Sequence, residues 1–275
     1  MSSVIVLRTH RVDDPAIVDL FYKLREDCGV HRVYVMFDDT KGAWNESDDS
    51  KSPEHMSKDT NVFLVTDGDC TRANSMHDRG FRCHSEVSWM FWHPETSFVL
   101  CHDWLRSKEA EGTCPPFDYV WFLEYDVRCT GRFSEAFAVC DEIDADFMAC
   151  GKNDVKADHL RLAKEEPGWC WFPRLDGEIV ARVPLVERVG AFFPMVRFST
   201  SMAEAVRNEF GKSTGFCEVY VPTLAAFAPG IVSAAIPPSV LGKFQYSPII
   251  SREEWDDISK SHGGNQPAQF YHPIK

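Results

Sequence analysis

The strongest constraint on the fold lies before residue 40. Val4 to Arg8 is a short, β-branched, apolar run of the kind buried on both faces of a parallel sheet. Asp14-Pro15 then offers a helix N-cap followed by proline at the first helical position. Ile17, Leu20, Phe21 and Leu24 follow at i, i+3, i+4 and i+7, one face of a helix, and Gly29 stands where that helix should end. Val33 to Phe37 reads as a second strand and closes on Asp38-Asp39. Strand, helix and strand with short connections make a β-α-β unit, so a parallel sheet and a right-handed crossover are expected.

The same alternation continues. Residues 40–60 are polar and rich in turn formers, which reads as a surface loop. Asn61 to Thr66 predicts a third strand, followed by Asp67-Gly68-Asp69. Residues 70–95 show no clear period. Thr96 to Ser107 predicts a helix with Val99, Leu100, Trp104 and Leu105 inward. Tyr119 to Tyr125 is the most strand-like segment, with Asp126 at its carboxyl end. Phe133, Ala136, Phe137 and Cys140 repeat the helical spacing, and Asp146 to Cys150 predicts another strand. Residues 151–195 read as irregular and aromatic, with Trp169, Trp171, Phe172, Phe192 and Phe193. Helices are expected over Ser199 to Phe210 and Glu218 to Phe227, and a late strand over Ile231 to Ile236.

These elements specify an α/β fold with a mostly parallel central sheet flanked by helices. The length, 275 residues, suits one domain, and no linker or internal repeat divides it. Ligands of such sheets sit beyond the carboxyl ends of the strands. Polar residues gather there: Arg8-Thr9-His10, Asp38-Asp39, Asp67 and Asp126 each follow an expected strand.

Charge and cysteine usage narrow the function. A net charge of −13 argues against nucleic-acid binding, which needs basic side chains against phosphates. The ten cysteines include no CxxC, so they read mostly as buried free thiols in a reducing compartment. The start of the chain, MSSVIVLRTH, enters a strand directly, and no apolar stretch reaches membrane-spanning length, so a cytoplasmic location is expected. In that setting the sequon Asn45-Glu46-Ser47 has no consequence.

Glu124 and Asp126 carry the chemistry. On a strand, residues two apart share a face, roughly 7 Å apart at Cα. Two carboxylates at the open end of a buried strand are costly unless a cation or donor lies between them. A hard divalent ion, Mg2+ or Mn2+, fits oxygen ligands of this kind. The plainer alternative is a pair of exposed acids, one of them beside Arg128.

The run Tyr119-Val120-Trp121-Phe122-Leu123-Glu124-Tyr125-Asp126-Val127-Arg128 resembles the segment that carries the DxD-type motif in GT-A glycosyltransferases. It is similar to a group of algal, fungal and large-DNA-virus (chlorovirus-like) sequences with Glu in place of the first Asp. The resemblance implies a single GT-A domain over residues 1–275. Residues 1–150 would form the nucleotide-sugar half, and residues 151–275 the acceptor half with a metal- and diphosphate-binding tail. It also implies Asp126 as metal ligand with Glu124 as its helper toward the donor. Gly215 to Thr223 resembles the stretch that sets an acid at a helix N-terminus, which makes Glu218 the candidate general base of an inverting reaction. The plainer role for Glu218 is to complement the helix macrodipole. The terminal Tyr271-His272-Pro273-Ile274-Lys275 resembles a tail in which His272 ligates the metal and Lys275 meets the diphosphate; the alternative is a frayed end. Arg8, Thr9 and His10 resemble the entry loop that touches the nucleotide. Asp38 or Asp39 would accept from base or ribose, with Asp67 a further candidate; loop capping is the commoner use of such residues. Trp169 and Trp171 would form either a sugar-stacking wall or core packing.

The expected activity is therefore metal-dependent transfer of a sugar from a nucleotide-sugar, a UDP-sugar above others, to a hydroxyl of a glycan or glycoprotein. The cofactor is Mn2+ or Mg2+, with no nucleic-acid partner and no membrane span, and a viral chain would work in host cytoplasm. Two rivals are a nucleotidyltransferase acting on sugar phosphates, although Arg8 to Val12 lacks a Gly-rich phosphate loop, and a non-catalytic glycan-binding protein.

Overall fold

A computed structural model describes residues 2–11, 14–39, 61–77, 94–151, 160–263 and 266–275. The sequon at Asn45, the expected loop over 40–60, Val12 and Cys83 lie outside the described residues. In chain order the elements begin β1 (Ser3–Thr9), α1 (Pro15–Cys28), β2 (Val33–Asp38), β3 (Val62–Val65), α2 (Asp67–Ala73), α3 (Pro94–Ala110), β4 (Tyr119–Glu124), β5 (Arg128–Thr130), α4 (Phe133–Asp141) and β6 (Phe147–Cys150). They continue β7 (Arg161–Leu162), β8 (Leu175–Gly177), α5 (Glu178–Arg182), β9 (Val189–Gly190), β10 (Phe192–Ser199), α6 (Thr200–Asn208), β11 (Ser213–Gly215), α7 (Cys217–Phe227), β12 (Ser233–Ala235), β13 (Leu241–Phe244), α8 (Arg252–Ser261) and β14 (Gln269–His272).

Seven strands form the central sheet in the order β12-β6-β10-β4-β1-β2-β3. All neighbours run parallel except β10, which is antiparallel to both β4 and β6. This is the mostly parallel α/β architecture, flanked by helices, that the sequence specifies. Alternation along the strands feeds two cores. Val4, Val6, Tyr34, Met36, Val120 and Phe122 pack with α3, α6 and α7 on one face; Ile5, Leu7, Val33, Val35, Trp121 and Leu123 pack with α1 and α4 on the other. Each fully buried aliphatic or phenylalanine side chain in these layers contributes about 1.5–3 kcal/mol.

The local signals of α1 hold. The Asp14 carboxylate caps by accepting from Ala16 N, Pro15 opens the helix, and Gly29 closes it at φ 97. The expected inward set of α1 is fully buried. Two expectations are corrected. First, Asp67, expected as a nucleotide-side or loop-capping residue after the third strand, opens α2 with Gly68 and Asp69 in its first turn. Thr66 and Asp69 form a reciprocal capping box there, a Thr-x-x-Asp signal present in the sequence.

Second, the stretch 151–195, expected to be irregular, ends by entering β10. Pro194 and Arg197 hid this strand, because proline and a charge both argue against a central strand. Arg197 is fully buried, yet it donates to the carbonyls of Cys140, Ile143 and Ala145 and lies over the Tyr119 ring at 4.0 Å. Its Nη groups are thus bonded inside the fold and its charge lies 3.4 Å from Asp141 Oδ1, while Nε is buried without a hydrogen bond.

A small second sheet in the order β13-β14-β5 positions the site. β14 pairs antiparallel with β5, Tyr271 opposite Arg128, and parallel with β13, His272 opposite Phe244. Because β5 begins two residues after Asp126, pairing of β14 carries His272 to the end of β4.

Candidate metal centre

Glu124 ends β4, and Asp126 lies in the turn beyond it, where Val127 N–H donates to the Glu124 carbonyl at 3.1 Å. The same-face argument for a shared strand therefore does not describe this pair. A turn and a third residue bring the groups together. Donor atoms of Glu124, Asp126 and His272 all lie within 4.8 Å of one another. His272 Nε2 is 3.2 Å from Asp126 Oδ1 and 3.6 Å from Glu124 Oε2.

The His272 ring is fixed from several sides. Its Nδ1 lies 2.9 Å from the Gln245 carbonyl, so Nδ1–H donates there and Nε2 faces the carboxylates. The Phe192 and Phe244 rings flank it at 5.3 and 5.6 Å. The tail is ordered as well: Ile274 N–H donates to the Asp126 carbonyl and Lys275 N–H to the Ile250 carbonyl. Lys275 Nζ stands 3.7 Å from Asp126 Oδ2, with its side chain 53% exposed.

These donors fit a divalent ion. Asp126 Oδ1 is buried without a well-formed hydrogen bond, and two carboxylates plus an oriented imidazole are a ligand set for Mn2+ or Mg2+. In the ion-free chain the charges pair with each other. Burial works to raise the Asp126 carboxyl, but the His272 ring and Lys275 outweigh it and hold it below its ordinary range. Burial likewise works to lower His272, while Asp126 and Glu124 overcome it and push the ring up to about 9. A cation would take the place of that imidazolium proton.

Arg8 is brought to the site by register, since it lies opposite Glu124 in the β1–β4 pairing. Its guanidinium is buried, 3.6 Å from Glu124 Oε1 and 4.7 Å from the centre of the Phe98 ring. It thus restrains Glu124 from the side away from His272. Thr9 serves its own loop: its hydroxyl donates to Arg11 O and accepts from Arg11 N. His10 is exposed and meets the Tyr125 ring edge-on at 5.3 Å. Asp38 is buried at the end of β2, and Asp39 follows it, its N–H bonded to the Val65 carbonyl. Asp67 faces His77 at 3.2 Å in the first turn of α2. Trp169 and Trp171 pack on the core, Trp169 against Phe172 and Trp171 against Phe216.

Glu218 lies in the first turn of α7 and is partly accessible. One carboxylate oxygen accepts from Phe193 N at 3.1 Å, and its backbone carbonyl accepts from Ala191 N at 2.8 Å. Burial raises its carboxyl to about 8; the Phe193 bond opposes this, Glu124 adds to it, and Arg161 and His272 oppose it. Glu218 therefore belongs to the electrostatic field of the triad. In sequence, Phe192 stands only among the aromatics of 151–195, and Phe244, Gln245 and Arg161 carry no expected role; nothing in their local sequence marks them for the site. A groove of about 590 Å³ lies elsewhere, lined by α5, α6 and the end of α7, and no triad residue borders it.

Eight of the described cysteines are buried or half-buried and Cys170 is exposed; all nine are free thiols. Among the described residues no helix is long and apolar enough to cross a membrane.

No protein-family model matches the chain, and no curated protein matches it. Many solved structures show a faint likeness, the following three among them. Mouse xyloside xylosyltransferase 1 in its apo form is 10% identical over 98% of this chain and 97% of that one, with a TM-score of 0.44. The inositol-1-phosphate CTP transferase of T. maritima is 11% identical over 86% of each chain, with a TM-score of 0.41. A mannose-1-phosphate geranyltransferase from Thermus thermophilus is 10% identical over 86% of this chain and 74% of that one, with a TM-score of 0.39. Likenesses this weak carry no argument about activity.

Proposed function

We propose that this chain is a metal-dependent glycosyltransferase that moves a sugar from a nucleotide-sugar, a UDP-sugar in the first instance, to a hydroxyl of a glycan or glycoprotein. One observation supports this above the others: Glu124 and Asp126 converge with His272, far from them in sequence, at the carboxyl end of a central parallel strand. That is where nucleotide ligands of such sheets sit. Residues 1–150 supply Arg8, Glu124 and Asp126 on the donor side. Residues 151–275 supply Glu218 and the tail.

Asp126 and His272 would hold Mn2+ or Mg2+, with Glu124 as third donor or as hydrogen-bond acceptor for the donor's ribose. The ion supplies Lewis-acid stabilisation of the departing diphosphate. Lys275, half exposed beside Asp126, offers a mobile positive charge to the same phosphates. His10, Thr9, Asp38 and Asp39 line the neighbouring strand ends on the nucleotide side. Glu218 takes the acceptor proton. Its raised carboxyl suits this role, because a base near the working pH transfers protons most effectively.

The test is a screen of nucleotide-sugars with Mn2+, read as slow hydrolysis without acceptor and as thermal stabilisation. UDP-sugar hydrolysis that needs Mn2+ and disappears in Asp126→Ala is the expected result. Consumption of a nucleoside triphosphate with a sugar phosphate would instead identify a nucleotidyltransferase. Glycan binding without turnover would identify a lectin-like protein.

A further inference from the structure

Three consecutive residues, Ala191, Phe192 and Phe193, touch both halves of the candidate site. The N–H groups of Ala191 and Phe193 both reach Glu218, one its carbonyl at 2.8 Å and one its carboxylate at 3.1 Å. Between them, the Phe192 ring lies edge-on to His272 at 5.3 Å and to Phe244 at 5.9 Å, and Phe244 lies 5.6 Å from His272 on another side.

The strand is irregular where this happens. Against β6, β10 pairs Phe192 with Cys150 and then Val196 with Ala149, so residues 193–195 are in excess over the partner strand. Pro194 within that excess has no N–H to offer a ladder. A bulge of this kind releases backbone donors from sheet pairing and re-aims side chains. Here the released Phe193 N–H is spent on Glu218. With Nδ1 of His272 held by Gln245 and the ring flanked by Phe192 and Phe244, Nε2 is left aimed at Glu124 and Asp126.

We propose that Phe192 is a positioning residue that acts through His272, and that the Ala191–Phe193 segment, leading into the bulge, fixes the cation ligand and Glu218 in one frame. The inference rests on the cation reading above. It gives a task to a phenylalanine that a packing argument alone would treat as interchangeable with leucine. The ring's flat face and edge restrict rotation of the imidazole, and a branched aliphatic side chain does not.

The experiment measures Mn2+ affinity by the electron-paramagnetic-resonance signal of free Mn2+, using the full chain. Phe192→Leu is expected to raise the Kd about ten-fold with an unchanged circular-dichroism spectrum, in line with supporting residues around metal ligands. Phe192→Tyr, which keeps the ring, should restore the affinity. Phe21→Leu, a loss of a fully buried ring in α1, should lower Tm and leave the Kd unchanged. A Kd for Phe192→Leu within two-fold of wild type overturns the proposal, as does an equal rise in Phe21→Leu. Wild type that binds no Mn2+ overturns the cation reading itself, and this inference with it.

Discussion

The two halves of the chain build one site by different means. Before residue 150, regular strands and helices alternate, and the functional residues sit at strand ends: Arg8 in the last two residues of β1, Asp38 at the end of β2, Glu124 at the end of β4. After residue 150 every described strand but β10 is two to four residues long, yet this half places an antiparallel strand inside the sheet, a carboxylate at a helix start and a histidine on a secondary sheet. The first half offers two acids and a counter-charge, Arg8, beside Glu124. The second half supplies the cationic and neutral partners. The comparison teaches that a carboxylate pair becomes a metal-binding set through long-range pairing of β14 with β5, not through its own local spacing.

If that is right, substitutions in the second half should hurt as much as those in the first. The largest effect is expected from Asp126→Ala, which removes the buried ligand. Activity should fall at least about 10³-fold, about 4 kcal/mol in transition-state stabilisation, measured as kcat/KM with a UDP-sugar. Glu218→Gln, from the other half, should lower kcat by about 10²–10⁴-fold while Mn2+ affinity stays at the wild-type value. A large change in Mn2+ affinity there would mean that Glu218 is a ligand and not a base. His272→Gln should weaken Mn2+ binding by about 10–100-fold. Lys275→Met should give the smallest effect, a few-fold rise in KM for the donor, because its charge is half exposed and screened.

Stability against pH sharpens the same comparison. His272 titrates near 9 in the fold against an ordinary 6.5, so its ion pair stabilises fully below about 6.5 and is lost as pH rises through about 9. Glu218, raised from 4.5 to about 8, adds a loss in the same direction over that lower range. Asp126, lowered from 3.8, contributes above that value and is lost as pH falls. The Tm of ion-free protein should therefore fall between pH 6.5 and 9. His272→Gln should flatten the upper part of that fall, and saturating Mn2+ should remove it in wild type.

Much of the scaffold was legible because local chemistry and tertiary packing agree there. Asp14, Pro15, the Ile17 to Leu24 stripe and Gly29 each do in the fold what their types dictate. Asp126 and His272 were joined by the resemblance to a GT-A segment and tail, and their convergence has a geometric cause in the pairing of β14 with β5. β10 was not legible. Its charge, Arg197, is satisfied by carbonyls at the end of α4, far away in sequence, and its proline sits in a bulge that only the register reveals. The sequence pointed Arg8 and Thr9 outward to a nucleotide. In the fold Arg8 turns in to Glu124, and Thr9 closes its own loop. The wrong strand assignment of Asp126 has a simple origin: Tyr125 extends the apolar run, and nothing local says that β4 stops at Glu124.

The central claim is that Glu124, Asp126 and His272 form one cation site. It is tested most directly by titrating Mn2+ into wild type, Asp126→Ala and His272→Gln by isothermal calorimetry in the presence of UDP. The account predicts one Mn2+ per wild-type chain, proton release on binding, and a loss of affinity in both variants. Equal Mn2+ binding in all three proteins, or none in wild type, would contradict it.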